Sequence, residues 1–550
     1  MIFFLGCISV VQILFIPGII IKKLSRIDDT KIFNLIFIIL TSIFANYFII
    51  TFLIFLKIYT QEVLAIIIAF EIIFALILLN YNNQIINTRI TINIIVVIFV
   101  FLLILFALIK NTGNVFYSWD AVVSYNEWAI NFSNNDYPQS MIRPYLMPKL
   151  WSLTYVLTNS EIEFFAKFTT AVFPIIILLI CLDNILKHKK ISNYIYLFLF
   201  CLFFYFQRNF ILTGYVDTPL IAIVTSFFFF SSKSEDIKNI TPQIISILLS
   251  FGIKISGIFI LFYFIFVTKK YFKIKFFIIV ILSLYFFLLY FNTFNNFFSS
   301  NIFNEMGQLD NFNFLRSLNY SLYLLRENHL LIFLLLALFG AFLIETRKIL
   351  FLFIIPSMIY WVIFLSYDIR NMLYVIPAIF LINSIIIEKI LLKFNTFNKL
   401  FNKILSIQTN KNFLFIINKK LIYLTFLFLV IVFSYIFNDE KIKYNNVLKK
   451  NEMRGNYEIN LEIAKLIKQN KINTENFMTD FQLIFYTPMF DEIFSWDKNY
   501  INDNKNFNNY DYFLVYGHQK ELRNFIKKKL NNNDFKIIRD INNFILVGKQ

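Results

Sequence analysis

The sequence predicts an all-α polytopic membrane bundle of about 12–14 transmembrane helices, followed by a small C-terminal α/β domain. Three observations carry this reading. The 550 residues are 58% hydrophobic and 20% aromatic, with a mean hydropathy of +0.66, outside the range of a soluble globular domain. Apolar runs of about 17–25 residues recur, each long enough to cross a ~30 Å hydrocarbon core as a helix. Past Asn438 the chain turns polar, with short alternating helix and strand patterns.

Within lipid the backbone must satisfy its own hydrogen bonds, so each apolar run reads as a helix. The first, Ile2–Ile21, has neither a basic leader nor a small-residue cleavage site and is expected to be a retained span. Ile32–Leu56, Val63–Leu79 and Ile92–Ile109 follow. After a polar stretch come Phe164–Leu186, Ile191–Phe206 and Thr213–Phe230. Ile240–Ile253 and Ile255–Val267 are short and abut, as two spans or as one broken helix that dips and returns. Phe276–Phe291, Leu330–Ile344, Leu350–Leu365, Met372–Leu392 and Leu421–Phe437 complete the set. Residues 1–437 are thus expected to form the transmembrane domain, and 438–550 the α/β domain.

Basic residues orient the bundle. Lys22, Lys23 and Arg26, then Lys187, Lys189 and Lys190, then Lys269, Lys270 and Lys273, then Arg347 and Lys348 all fall on one side when crossings alternate. A lysine-rich set from Lys389 to Lys420 joins them. The positive-inside rule makes that side cytoplasmic. The outer side then receives loop 111–163, the turn "QRNFILTGYVD", the link "GIKISG", the loop Asn292–His329, the turn "SYDIRN" and the tail. The protein is expected in the cytoplasmic (inner) membrane with its C-terminal domain periplasmic. The net charge of +17 is explained by these topology signals, and no basic patch interleaved with aromatics indicates nucleic acid. Cys7, Cys181 and Cys201 lie within or beside apolar runs and read as small core hydrophobes. His188, His329 and His518 are scattered and make no metal site.

Within the tail, "NYEINLEIAKLIKQN" and "KELRNFIKKKL" read as amphipathic helices, and "NFMTD", "DYFLVYG", "FKIIRD" and "NFILVG" as extended segments. Such alternation predicts an α/β unit of about 100 residues.

The outer face gathers the titratable residues. Asp120 and Glu127 are seven positions apart in "YSWDAVVSYNEWA", which puts them on one face of an α-helix two turns apart. Pro138, Pro144 and Pro148 disfavour a continuous helix beyond this stretch and predict a shaped, partly buried loop carrying Arg143. Each residue also has a plain explanation. Asp120 can be a helix N-cap; Asp217, two before a proline, can mark a helix start; Arg370 can snorkel at a helix end. Lys254 inside an apolar hairpin is harder to dismiss, because a lysine there is costly unless paired or wet. Asp120, Glu127, Arg143, Asp217, Lys254, Asp368 and Arg370 all fall on one side, and all but Arg143 near span ends. That arrangement suits a cavity open to both lipid and water, for a substrate with an anionic phosphate head on a membrane tail.

The ordered stretches "YSWDAVVSYNEWA", "YPQSMIRPYLMPKLWSLTY", "GYVDTPL", "FGIKISG" and "SYDIRNMLYVIPA" resemble the GT-C superfamily of membrane glycosyltransferases. The likeness is to its bacterial branch of protein O-mannosyltransferase and aminoarabinose transferase-like proteins, over roughly Asn111 to Pro377. The resemblance implies a GT-C-like bundle that passes a sugar from a polyprenyl-phosphate carrier to an acceptor hydroxyl with inversion. It implies Asp120 as general base, made basic by partial burial against Trp119 and Tyr125, and Asp217 as the acid that orients sugar or acceptor. Arg370 and Lys254, with Arg143, would meet the donor phosphate. Glu127 and Tyr137 join the implied substrate-binding set. The acceptor, whether lipid, glycan or protein, stays open. Many relatives carry two adjacent or near-adjacent first-loop acids, which in some bind a divalent metal; here alanine follows Asp120 and Glu127 lies about 10 Å along a helix. Metal-independent transfer is therefore favoured over transfer assisted by a divalent metal, and no other cofactor is expected. Three other classes remain: a carrier or flippase of lipid-linked glycans, against which the absence of an internal repeat counts, an O-antigen polymerase or ligase, and a non-catalytic membrane scaffold whose α/β tail binds a partner.

Overall fold

The computed structural model describes residues 1–27, 29–80, 99–100, 102–104, 115–138, 145–188, 190–208, 213–232, 237–267, 314–366, 368–393, 439–473, 475–490, 507–517 and 520–550. The expected spans Phe276–Phe291 and Leu421–Phe437, most of Ile92–Ile109, and Arg143 and His518 lie outside these residues.

The described chain is mainly helical. α1 (Ile2–Leu14) and α2 (Ile16–Ser25) meet at Phe15. Pro17 falls in the first turn of α2, where its missing N–H has no partner to lose. α3 (Lys31–Phe55) is capped by Thr30, whose side chain accepts from Phe33 N; α4 is Gln61–Asn80. α5 (Glu127–Ser133) and α6 (Leu146–Thr158) form the first outer stretch. α7 (Glu163–Lys187) is the most enclosed long helix, with 83% of its apolar window buried. α8 (Ile191–Phe206), α9 (Asp217–Ser231), α10 (Ile237–Ile253) and α11 (Ile258–Val267) follow. Then come α12 (Phe314–Glu327), α13 (Leu331–Leu338), α14 (Ile344–Leu365, with two π-helical turns) and α15 (Ile376–Leu392).

Among the described residues six helices are long and apolar enough to cross a membrane, and four apolar helices are shorter: α8, α9, the Ile240–Ile253 part of α10, and α11. α9 starts late and α10 ends early because Asp217 and Lys254 interrupt the apolar pattern, and each needs a partner. α12, expected as loop, is helical and is bent by 108° against the helix that follows.

Leu146–Thr158 departs from the expectation of a shaped, partly buried loop. α6 is a regular helix with every residue buried. Pro148 sits in its first turn, where a proline disrupts no helical hydrogen bond.

The tail folds as its pattern predicts. α16 (Asp439–Met453), α17 (Tyr457–Lys468) and α18 (Lys520–Asn531) accompany a sheet of β1 (Phe477–Thr479), β2 (Tyr512–Val515), β3 (Phe535–Ile541) and β4 (Phe544–Lys549). The strand order is β1-β2-β4-β3; β1 and β2 are parallel and the other pairs antiparallel. Phe513, Val515, Leu522, Ile526, Phe535 and Val547 give this sheet its own core.

Loops pair with loops of the same predicted side. Lys187 meets Asp29 at 3.0 Å and Lys389 meets Glu345 at 2.7 Å, all from the lysine-rich side. At the other end Tyr59 N donates to Asn135 at 3.1 Å, Gln207 to Asn328 O at 3.2 Å, and Lys450 of α16 meets Glu163 at 3.2 Å. The α/β unit therefore sits at the end of the bundle that carries Asp120.

Candidate functional site at one end of the bundle

Asp120 opens a π-helical turn, Asp120–Asn126, that leads into α5. It is not an N-cap, since no side-chain cap bond forms there. Its Oδ2 accepts from Arg370 Nη2 at 2.7 Å. Arg370 lies in a 3₁₀ turn, Ile369–Val375, that feeds α15. Asp368 caps this turn by accepting from Arg370 N at 2.9 Å, and it accepts from Arg370 Nε at 2.6 Å. Trp361 Nε1 holds the Asp368 carbonyl at 3.0 Å. One guanidinium thus joins two carboxylates, a geometry that suits the planar fork of arginine.

Tyr215 lies beneath that guanidinium, its ring 4.1 Å from Cζ. The turn before it needs Gly214: its φ is +97°, and a Cβ there would lie 2.3 Å from the Phe116 ring.

The second ion pair is adjacent. Asp217, the first residue of α9, accepts from Lys254 Nζ at 2.5 Å. Lys254 sits where α10 stops, before a 3₁₀ turn of Ile255–Gly257, and also donates to Asn371 at 3.3 Å. Gly257 permits the break, because a Cβ would fall 2.6 Å from the Ser250 carbonyl carbon. Asp217 is nearly enclosed, with its side chain 4% exposed against 19% for Lys254. Asn371, next to Arg370, links the two pairs. Asp120, Asp217, Lys254 and Arg370 are therefore brought together, with Asp368 and Asn371 between them.

Glu127 and Tyr137 have other neighbours. The wider π turn advances each residue by a smaller angle than an α-helix does, so seven positions no longer return to the same face. Glu127 accordingly takes different surroundings from Asp120, close enough to Tyr486 of the tail to help raise its phenol, although burial is the larger cause. Tyr137 is exposed and sits edge-on to Phe132, centroids 5.9 Å apart. Trp119 turns its ring towards Phe481 at 6.4 Å, and Tyr125 towards Trp128 at 5.2 Å. Asp120 itself is partly buried, its side chain 31% exposed, and pairs with Arg370.

Tyr215 and Asn371 escaped the sequence reading, as did a buried group around Glu163. Asp368 lies two residues from Arg370, a signal present in "SYDIRN". Glu163 and Arg454, 291 positions apart, left no local signal. Among the described residues no group of three or more His, Cys, Asp or Glu side chains is placed to hold a metal ion.

Chemically the cluster combines two cations with three carboxylates at the end of an apolar bundle. An arriving phosphate could displace a carboxylate from either cation, releasing an acid beside the new anion. Comparison with protein-family models, with curated proteins and with solved structures finds no match.

Proposed function

We propose that the protein is a membrane glycosyltransferase of GT-C type that moves a sugar from a polyprenyl-phosphate donor to an acceptor hydroxyl. The observation that carries this reading is the Asp120–Arg370–Asp368 linkage beside the Lys254–Asp217 pair. A phosphate on a lipid tail needs cations at the edge of an apolar bundle, and the attacking hydroxyl needs a nearby base. Both are supplied within one cluster.

In the proposed reaction the donor phosphate takes Arg370 from Asp120, assisted by Lys254. Asp120 then accepts the proton of the acceptor hydroxyl as its oxygen attacks the anomeric carbon. The bond from that carbon to the phosphate oxygen breaks, and its electron pair leaves with the lipid phosphate. Arg370 and Lys254 stabilise the growing charge, while Asp217 orients sugar or acceptor. Attack opposite the leaving group inverts the anomeric centre. The site would work on the outer face of the cytoplasmic membrane, with the α/β unit periplasmic.

The test is transfer from polyprenyl-phosphate hexose and pentose donors in membranes containing the full chain, Asp120→Asn or Asp217→Asn. Loss of a general base lowers the rate by roughly 10²–10⁴-fold. Undiminished transfer by Asp120→Asn removes the base assignment, and no transfer by the parent chain with any donor or acceptor removes the reading.

A further inference from the structure

We propose that the C-terminal domain is a working part of this site, because Arg454 and Glu163 form a buried clamp that holds both ends of the segment bearing Asp120. The catalytic half of this inference rests on the proposed role of Asp120; the clamp itself does not.

The clamp is made from opposite ends of the chain. Arg454 follows α16, and its side chain is 0% exposed; Glu163 begins α7 and is 1% exposed. Arg454 Nη2 donates to Glu163 Oε1 at 2.7 Å, and Nε donates to the Phe116 carbonyl at 3.1 Å. Nη1 donates to the Tyr486 carbonyl, within the 3₁₀ turn of the tail. Glu163 Oε2 in turn accepts from Phe116 N at 3.0 Å. Both peptide groups of Phe116, four residues before Asp120, are therefore held by the two sides of one ion pair.

The far end of the segment is held by the same carboxylate. Asn126, the last residue of the π-helical turn, donates to Glu163 Oε1 at 3.0 Å, and its own oxygen accepts from Tyr155 at 2.5 Å. Lys450 adds a second cation from α16 at 3.2 Å. Between the two grips, Trp119 meets Phe481 of the tail.

A buried ion pair is a poor way to gain stability, since desolvation offsets most of its attraction. Its strength is directional: the arginine fork tolerates few geometries. Arg454 is thus a positioning residue, acting through Phe116 and Asn126 to keep Asp120 in register with Arg370.

The experiment uses the full chain in membranes, with Cys7, Cys181 and Cys201 changed to alanine and cysteines placed by Trp119→Cys and Phe481→Cys. A short bis-maleimide reads the docking of the domain, without reference to activity. Glu163→Gln and Arg454→Gln are expected to slow crosslinking by about tenfold or more; Arg454→Lys, which keeps the charge and is the variant least at risk of misfolding, gives a partial recovery. In chains with native Trp119 and Phe481, the same three substitutions are expected to lower kcat by about tenfold or more while donor KM stays within about threefold. Parental crosslinking in all three variants overturns the clamp. Slowed crosslinking with unchanged kcat overturns the positioning role. A parent chain without transfer activity sinks the glycosyltransferase reading, and the crosslinking then decides the clamp alone.

Discussion

Arg370 Nη2 lies 2.7 Å from Asp120 Oδ2, although 250 positions separate the two residues in the chain. The contact joins the entrance of the first outer helix to the turn before α15. It makes the resting cluster largely self-neutralised, so in the proposed reaction the donor phosphate has to exchange partners rather than fill an empty charge. That exchange defines what substitutions should do.

Arg370→Gln removes a charge-assisted donor from two carboxylates. Such bonds contribute about 1.5–3 kcal/mol, so kcat/KM for a polyprenyl-phosphate donor should fall roughly 10–150-fold. Arg370→Lys should recover little, because an ammonium is not a planar fork and is more strongly hydrated. Full recovery by lysine would show that a point charge suffices there.

Lys254 and Asp217 can be tested as a pair. Removing one partner of a buried pair costs about 3–5 kcal/mol, whereas removing both can be nearly neutral. Lys254→Met alone and Asp217→Asn alone should each lower the apparent thermal midpoint of the detergent-purified protein. The double variant should sit well above either single variant. Additive losses would mean that the two side chains do not interact in the folded protein.

Gly257→Ala forces a methyl group to within 2.6 Å of the Ser250 carbonyl carbon. Overpacking of this kind costs typically ~1–3 kcal/mol, and here it displaces the turn that follows Lys254. Thermal stability should drop, and cysteine at Asn371 should become less reactive to a maleimide as Lys254 moves away and no longer favours the thiolate. A variant with the parental midpoint and parental Asn371→Cys reactivity would contradict the close approach.

Asp120 and Arg370 lie at one end and the Lys187–Asp29 pair at the other, so labelling at the two ends tests the proposed sidedness. Single cysteines at Ser118 and Asn371, in a chain without native cysteines, should react with a membrane-impermeant maleimide added outside. Cysteine at Lys187 should react only after permeabilisation. Labelling of Ser118→Cys from the cytoplasmic side alone would reverse the orientation.

Much of the helical layout was legible because lipid and apolar core impose the same local rule, a run of apolar residues with its own hydrogen bonds. The tail was legible for a similar reason: alternation in "DYFLVYG" and "NFILVG" marks half-buried strands whichever partner they find. Of the candidate site, Asp120, Asp217, Lys254 and Arg370 stood out because charges at span ends are expensive. Glu127 was misjudged from its spacing, since a π turn is not written in the hydrophobic period. The helix at Leu146–Thr158 is not legible in the sequence, because a proline disfavours a helix everywhere but in its first turn, and only the structure puts Pro148 there.

Composition and loop charge alone determined that this chain is an apolar helical bundle with a polar α/β tail, and they ordered its charged residues along the chain. Which carboxylate meets which cation was decided only in three dimensions. Ion-pair geometry depends on how helix ends from distant segments converge, and no local pattern records that Arg370 reaches Asp120 or that Arg454 grips Glu163.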